Sequence, residues 1–577
     1  MRPIRFFSAS LAVCLSLTLF SHNFHAAAQS PGTVDTAAAM PDVQVLLNKG
    51  LEFERGRLWA EAVQHYEKAL RKHRDHATLN QRRLVSRLHY DVQRRYRDES
   101  FLAAVREMTP SQALDLYSEV LANLDAHYVV QPQWSRVAMH GTASLEVALT
   151  EAGFVNRTLA GVDPQKIESF RQNVHLHVRD RQNTNRYELR TTASLISQMA
   201  ERELGIGRSA VILEYVCGAV STLDTYTRFL TGDQMRETFD NLEGNFVGLG
   251  VELKPAKDRL QIISVVPNGP AAQSGLLPGE SIVRVETSST MEEDPTIAAD
   301  LLRGPEGSFA SITVMTVDGE KRELMVPRRR VEVPSVEGIQ MVDADHGTGY
   351  MRISSFQKTT AGEVQNAIHH LRRQGMKTLV MDLRGNPGGL LTSAVEIADR
   401  FLLGGAIVTT KGRSAAENFP YTAHYAGSWP TDLRLMLLIN NDSASASEIL
   451  AGAIRDNHRG TIIGDQSYGK GSVQGIFRMQ SANVGLCMTT AKFYSPSGKA
   501  ISDNGVMPHV AVENAKYIMA RPTEEGRIVS RGEDETLAMA IRSASQPMPR
   551  RAITNPNMNQ RYQVAKPALS SVGRSER

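Results

Sequence analysis

Ser445 and Lys470 are the residues whose types and surroundings best support chemistry in this chain. The serine lies in L-R-L-M-L-L-I-N-N-D-S-A-S-A-S-E-I-L-A-G-A-I (Leu433 to Ile454), an apolar strand-like run that passes into a helix. The lysine lies in T-I-I-G-D-Q-S-Y-G-K-G-S-V-Q (Thr461 to Gln474), between two glycines. A serine hydroxyl is a poor nucleophile until a base takes its proton, and lysine can be that base if it is held neutral. At a reference pKa of about 10.4, under about one lysine in a thousand is neutral at pH 7. Burial between Gly469 and Gly471, away from carboxylates, is the means by which that pKa would fall, at about 1.4 kcal/mol per unit. A Ser–Lys pair is one variant of the serine peptidase arrangement, so attack on a peptide carbonyl is the expected reaction.

Three serines alternate at 443, 445 and 447. Ser445 falls at the strand-to-helix junction, where its side chain projects and the helix start supplies unpaired N–H donors. Ser443 reads as a cap or turn residue and Ser447 as first-turn helix. An oxyanion needs preorganised N–H groups. Gly388 and Gly389 of G-N-P-G-G, with the Ala446 N–H that follows the serine, are the candidates. Gln474, four residues beyond Lys470, can accept from the lysine amine without adding charge and so orient it. Asp382, Arg384 and Glu448 read as scaffold. Competing patterns fail on chemistry. Gly464 to Gly471 nearly spells a phosphate loop, but Gly471 stands where a magnesium-binding Ser or Thr is required. Ser467-Tyr-Gly-Lys470 is an S-x-x-K with no following K-T-G. Neither H-E-x-x-H nor G-x-S-x-G occurs.

Four segments resemble the carboxyl-terminal processing, or tail-specific, serine peptidases. They are M-D-L-R-G-N-P-G-G-L-L (Met381 to Leu391), N-D-S-A-S-A-S-E-I, G-K-G-S-V-Q, and T-T-A-K-F-Y-S-P-S-G-K-A-I (Thr489 to Ile501). They occur in the family's order over more than a hundred residues, with the family's interval between Ser445 and Lys470. The resemblance implies a Ser445–Lys470 dyad with Gln474 as third member and no metal or organic cofactor. Phe246 to Pro327 resembles a PDZ domain, from G-L-G-V (Gly248 to Val251), N-G-P-A-A-Q-S-G-L-L-P-G-E-S-I (Asn268 to Ile282) and L-L-R-G-P-E-G-S (Leu301 to Ser308). Glycines there let the N–H groups of Gly248, Leu249, Gly250 and Val251 turn toward a peptide carboxylate while the peptide adds a strand. The family also implies a role for Arg303 in reporting occupancy. Glu280-Ser281 departs from the family's Asp at that point.

The fold expected is multidomain α/β: a helical N-terminal region, a PDZ domain of β strands with short helices, and an α/β Ser–Lys peptidase core. With 577 residues, three or more domains are expected. Residues 1–28 read as a cleavable signal peptide, with Arg2 and Arg5 before an apolar run shorter than a membrane span needs, which implies a secreted or periplasmic protein; an uncleaved signal anchor is the alternative. Residues 29–106 read as helical. Within them Val43 to His76 forms one tetratricopeptide-like hairpin, with Gly50, Phe53, Ala62, Tyr66 and Ala69 at its small and aromatic positions. That hairpin reads as an amphipathic pair packing on its neighbour, with an adaptor protein as the alternative occupant of its face. Residues 107–240 read as the helical start of the peptidase with an insertion, 130–214, that has no assignment. His175, His177 and Asp180 in that insertion read as solvated, since His-x-His at strand spacing is a weak metal signal. Residues 241–330 are the PDZ span, 331–516 the core, and 517–577 a mostly disordered tail. The formal charge of +3 implies no polyanion, hence no nucleic acid. Past the leader only Cys217 and Cys487 remain, read as buried free thiols. The partners implied are proteins with free C-termini. The alternative is a non-catalytic PDZ and helical-repeat scaffold.

Overall fold

The computed structural model describes residues 40–546 apart from 222, 257–258, 287, 290–300, 303, 425–428, 430–431, 503 and 513–533. The leader and Arg303 therefore lie outside the described residues. The chain divides into two compact units, 1–87 and 88–577.

In the first unit, helices α1 (Met40–Arg55) and α2 (Trp59–Lys72) form a hairpin that the start of α3 (Ala77–Arg95) joins. Ala62, Tyr66 and Ala69 are buried with Val43 and Leu79. A Cβ on Gly50 would stand 2.2 Å from the Tyr66 ring, so only glycine lets the helices approach there. The Tyr66 hydroxyl donates to Glu54 at 2.7 Å, which satisfies its polar end inside the hairpin.

The second unit opens with helices α4 (Glu99–Glu107), α5 (Pro110–His127), α6 (Trp134–Ala148), α7 (Ala152–Thr158), α8 (Pro164–Arg179), α9 (Arg186–Leu204) and α10 (Arg208–Ser221). The unassigned stretch 130–214 is thus helical. Helix α10 is buried on every side, as an all-round apolar sequence requires. His175 and His177 lie on α8, which Asp163 caps and Pro164 opens, so strand spacing was the wrong frame for them. Residues two apart on a helix do not share a face. His175 Nδ1 instead meets Glu146 of α6 at 3.0 Å.

Strand β1 (Arg228–Leu230) and helix α11 (Gly232–Glu243) lead to β2 (Asn245–Gly248). A β unit follows from β3 (Val251–Ala256), β4 (Arg259–Val265), the one-turn α12 (Pro270–Gln273), β5 (Ser281–Val285), β6 (Ser288–Ser289), β7 (Phe309–Met315) and β8 (Lys321–Pro327). Its antiparallel sheet runs β3-β4-β5-β7-β8 with β6 on β5, around its own apolar core. Glu280, the departure noted above, is buried there and bonds Arg322 and the Leu277 N–H. Strand β9 (Arg329–Glu332) pairs back on β2.

The core sheet contains β10 (Val336–Asp343), β11 (Thr348–Ile353) and, after α13 (Thr360–Arg373), β12 (Thr378–Asp382). Helix α14 (Leu391–Phe401), β13 (Ala406–Gly412) and β14 (Phe419–Thr422) precede β15 (Arg434–Ile439), α15 (Ala446–Asp456) and β16 (Thr461–Gly464). Strands β17 (Ser472–Arg478), β18 (Gly485–Tyr494) and β19 (Val510–Ala511) and helix α16 (Glu535–Ser545) complete the described chain. The order is β10-β11-β12-β15-β16-β19, parallel from β11 onward, with helices in the crossovers from β11 to β16 and strands β17 and β18 in the last. A second, antiparallel sheet runs β1-β18-β13-β14 with β17 on β18. Alternate residues of β12, β15 and β16 enter two cores. Leu379, Leu435 and Leu437 face one, while Val380, Met436, Leu438 and Ile463 face the other.

That second face is covered by α16, through Ala540 and Leu537. The span read as a mostly disordered tail therefore contains a docked helix, while the tail beyond 546 lies outside the described residues. Cys217 and Cys487 are free and buried.

Candidate active site

Three loops leave the same edge of the sheet because β12, β15 and β16 are parallel neighbours. They carry Arg384 to Leu390, Asn440 to Ser445 and Asp465 to Gly471, the place where open parallel sheets bind ligands. Ser445 caps α15 with φ 54° and ψ −111°, a conformation uncommon for a residue with a side chain. Its N–H donates to Glu448 Oε2 at 2.8 Å, which fixes the turn. The neighbouring serines are engaged elsewhere. Ser443 donates to the Leu383 carbonyl at 2.8 Å and accepts the Asn440 N–H at 3.0 Å. Ser447 donates to the Asn386 carbonyl at 3.1 Å.

Glu448 holds a second loop as well. Its Oε2 accepts the Lys470 N–H at 2.9 Å, and Oε1 accepts Ser467 Oγ at 2.6 Å and the Gly469 N–H at 2.7 Å. The Ser445 and Lys470 amides thus share one carboxylate oxygen, no more than about two hydrogen-bond lengths apart. Burial pushes the Glu448 carboxyl up, against the four donors that favour its charged form.

The Lys470 ammonium sits over the Tyr226 ring, 4.7 Å from its centroid. Burial lowers its pKa; the neighbouring Cys487, Glu448 and Asp224 oppose the shift and Arg228 adds to it. No hydrogen bond joins this amine to Ser445 or to Gln474. The Gln474 amide donates instead to Ser472, at 2.9 Å to Oγ and 3.2 Å to the carbonyl. The expected orienting contact is therefore not made in this side-chain arrangement; Gln474 lies within β17, and Lys470 in the loop before it.

Gly388 and Gly389 adopt φ of 107° and 140°. A Cβ on Gly388 would stand 2.7 Å from Ser445 Cβ and 3.0 Å from the Ala446 nitrogen. One on Gly389 would meet the Phe356 carbonyl at 2.1 Å. Glycine is thus required for this loop to lie against the serine. The Gly388 N–H already donates to Asn386 Oδ1 at 2.8 Å, so an oxyanion would compete with Asn386 for it. The amides of Gly389 and Ala446 have no such partner among the described residues. Gly248 ends β2 and Val251 opens β3; between them Leu249 enters the core of the β unit, and Gly250 has φ 78°.

Sequence reasoning missed Tyr226 and Asn386. Tyr226 stands in L-D-T-Y-T-R-F-L, within the span read as the helical start of the peptidase, but only the fold brings it to Lys470.

The model of Peptidase family S41 matches residues 347–512. The carboxy-terminal-processing protease of Bartonella bacilliformis is 35% identical over 301 residues, covering 51% of this chain and 68% of that protein. The carboxyl-terminal-processing protease of Synechocystis sp. is 34% identical over 312 residues, covering 53% and 71%. A solved photosystem II D1 C-terminal processing protease is 23% identical, covers 69% of this chain and 93% of its own, and has a TM-score of 0.37. The chain belongs to peptidase family S41.

Proposed function

We propose that this chain is an endopeptidase in which Ser445 attacks the peptide carbonyl and Lys470 takes and returns the proton. The observation that carries this reading is the Glu448 carboxylate holding both amides at one oxygen. Lys470 reaches the hydroxyl by leaving the Tyr226 ring. The Gln474 amide then turns from Ser472 to orient the amine. The oxyanion is received by Ala446, Gly389 and Gly388. The β unit captures the substrate's free C-terminus in the Gly248–Val251 turn, with Arg303 coupling occupancy to the site, and cleavage follows upstream. The substrates are proteins with free C-termini. The protein works outside the cytoplasm after loss of its leader, and an adaptor occupies the N-terminal hairpin. Among the described residues no helix is long and apolar enough to cross a membrane.

The test incubates the purified protein with one unfolded peptide in free-acid and amidated forms, beside Ser445→Ala. Free-acid cleavage that disappears in Ser445→Ala is expected. Because charged hydrogen bonds contribute roughly 1.5–3 kcal/mol, amidation should lower kcat/KM about ten- to hundredfold. Equal rates for both forms would remove tail recognition. No cleavage at all would leave a scaffold protein.

A further inference from the structure

Arg384 is wholly buried, and its guanidinium lies between two carboxylates. Asp382, two residues back at the end of β12, accepts from Nη2 at 2.6 Å and from Nε at 3.0 Å. Asp534, 150 residues on, accepts from Nη1 at 2.8 Å and from Nη2 at 2.7 Å, a two-pronged contact. Asp534 also caps α16 by accepting the Leu537 N–H at 2.9 Å, so the helix start that favours its negative charge also seats it on the arginine. Arg384 enters the loop that reaches Ser445. The Gly385 N–H donates to Asn440, and Asn386 bonds both the Ile353 carbonyl and the Gly388 N–H. Gly388 in turn lies against Ser445.

We propose that Asp534 is a positioning residue for the oxyanion side of the site, giving Arg384 a second, two-pronged carboxylate and so holding the Gly385–Gly389 loop against Ser445. This rests on the peptidase reading above. It makes α16, which lies beyond the matched family region, a requirement for turnover. Without Asp534 the buried Arg384 keeps Asp382 but loses the charge-assisted bonds that Nη1 and Nη2 make to the second carboxylate, and the guanidinium then shifts together with the loop it enters. A donor misplaced at an oxyanion lowers kcat and leaves substrate binding nearly unchanged.

Asp534→Asn separates this role from helix capping, because asparagine caps as well as aspartate but carries no charge. In the full chain, Asp534→Asn should lower kcat about tenfold or more with KM within about twofold, since charge-assisted bonds are lost. Asp534→Glu should recover most of that loss. Hydrogen exchange at Gly385–Gly389 should accelerate in Asp534→Asn and not in Asp534→Glu. Wild-type kcat and unchanged exchange in Asp534→Asn would overturn the proposal, as would equal losses in the Asn and Glu variants. Should Asp534→Asn not fold, the Glu variant decides: wild-type kcat and exchange there support the charge requirement, and a loss of kcat with unchanged exchange overturns it. A wild-type chain that cleaves nothing would defeat the peptidase reading, while the exchange comparison would still decide whether Asp534 holds the loop.

Discussion

On the side of the proposed nucleophile, contacts made by the main chain hold the geometry. Ser445 is fixed by its N–H on Glu448, by a glycine loop with no room for a Cβ, and by the start of α15. On the side of the proposed base, the Lys470 main chain is held just as firmly by Glu448, but its amine rests on the face of Tyr226. The first arrangement changes only if a loop moves. The second changes by rotation about side-chain bonds, against a cation–π attraction of about 0.5–2 kcal/mol. In the proposed mechanism the Gly389 and Ala446 amides are thus set in place by the main chain, while the proposed base, Lys470, moves to the serine by a side-chain step away from Tyr226.

Substitutions can break this contrast at its strong end. Ser445→Ala should lower kcat/KM by roughly 10⁴- to 10⁶-fold, the scale for losing a nucleophile, with the melting temperature nearly unchanged. Kinetics together with a thermal melt checks both halves. Activity retained there but lost in Ser443→Ala would identify the other serine, against its two buried hydrogen bonds. Glu448→Ala comes next. It strands four donors at once, each costing about 1–3 kcal/mol when buried and unmet. Both kcat and melting temperature should fall, kcat by about a hundredfold. An unchanged kcat in the folded variant would show that Glu448 does not set the spacing of the two loops.

The nucleophile side was also the more legible in the sequence, for a physical reason. An apolar strand, a turn of Asn, Asp and Ser, and an Ala-rich helix are local signals, and they place Ser445 without knowledge of the fold. Glu448 could be read as scaffold from its place in the first helical turn, but not as the carboxylate that ties two loops together. Gln474 could be read from its amide chemistry, but not that its side chain would rest on Ser472, because that contact depends on the start of β17. His175 and His177 were read at strand spacing, and they lie on a helix. Helix α16 escaped notice because it is short and set in polar text, and its function as cover for the second sheet face depends on strands far away in sequence. Asp534 has no local signal for its contact with Arg384 at all.

The base side can be sharpened through the pH dependence of activity. Neutral Lys470 is the proposed active form, so activity should rise with pH through its lowered pKa and then level off. Lys470→Arg should be inactive throughout, because guanidinium stays protonated. Gln474→Glu brings a negative charge toward the amine whenever the side chain turns from Ser472. That favours the ammonium, so the rising limb should move to higher pH. A limb that does not move would place Gln474 outside the reach of Lys470.

The smallest expected effect tests the weakest contact. In Tyr226→Leu, a smaller apolar side chain keeps the surroundings of the amine apolar but removes the ring's attraction for the ammonium. Loss of that attraction favours neutral lysine, so the rising limb should move toward lower pH, opposite to Gln474→Glu. The displacement should be slight, because the contact contributes only about 0.5–2 kcal/mol. The amine is also freed from its resting place, so kcat on the plateau should hold or rise, while KM should not change. A pH series of kcat for wild type, Tyr226→Leu and Gln474→Glu measures all three. Movement of the Leu variant to higher pH would mean that the ring acts on Lys470 mainly by excluding water, and the contrast between a fixed serine and an adjustable lysine would then need a different restraint on the amine.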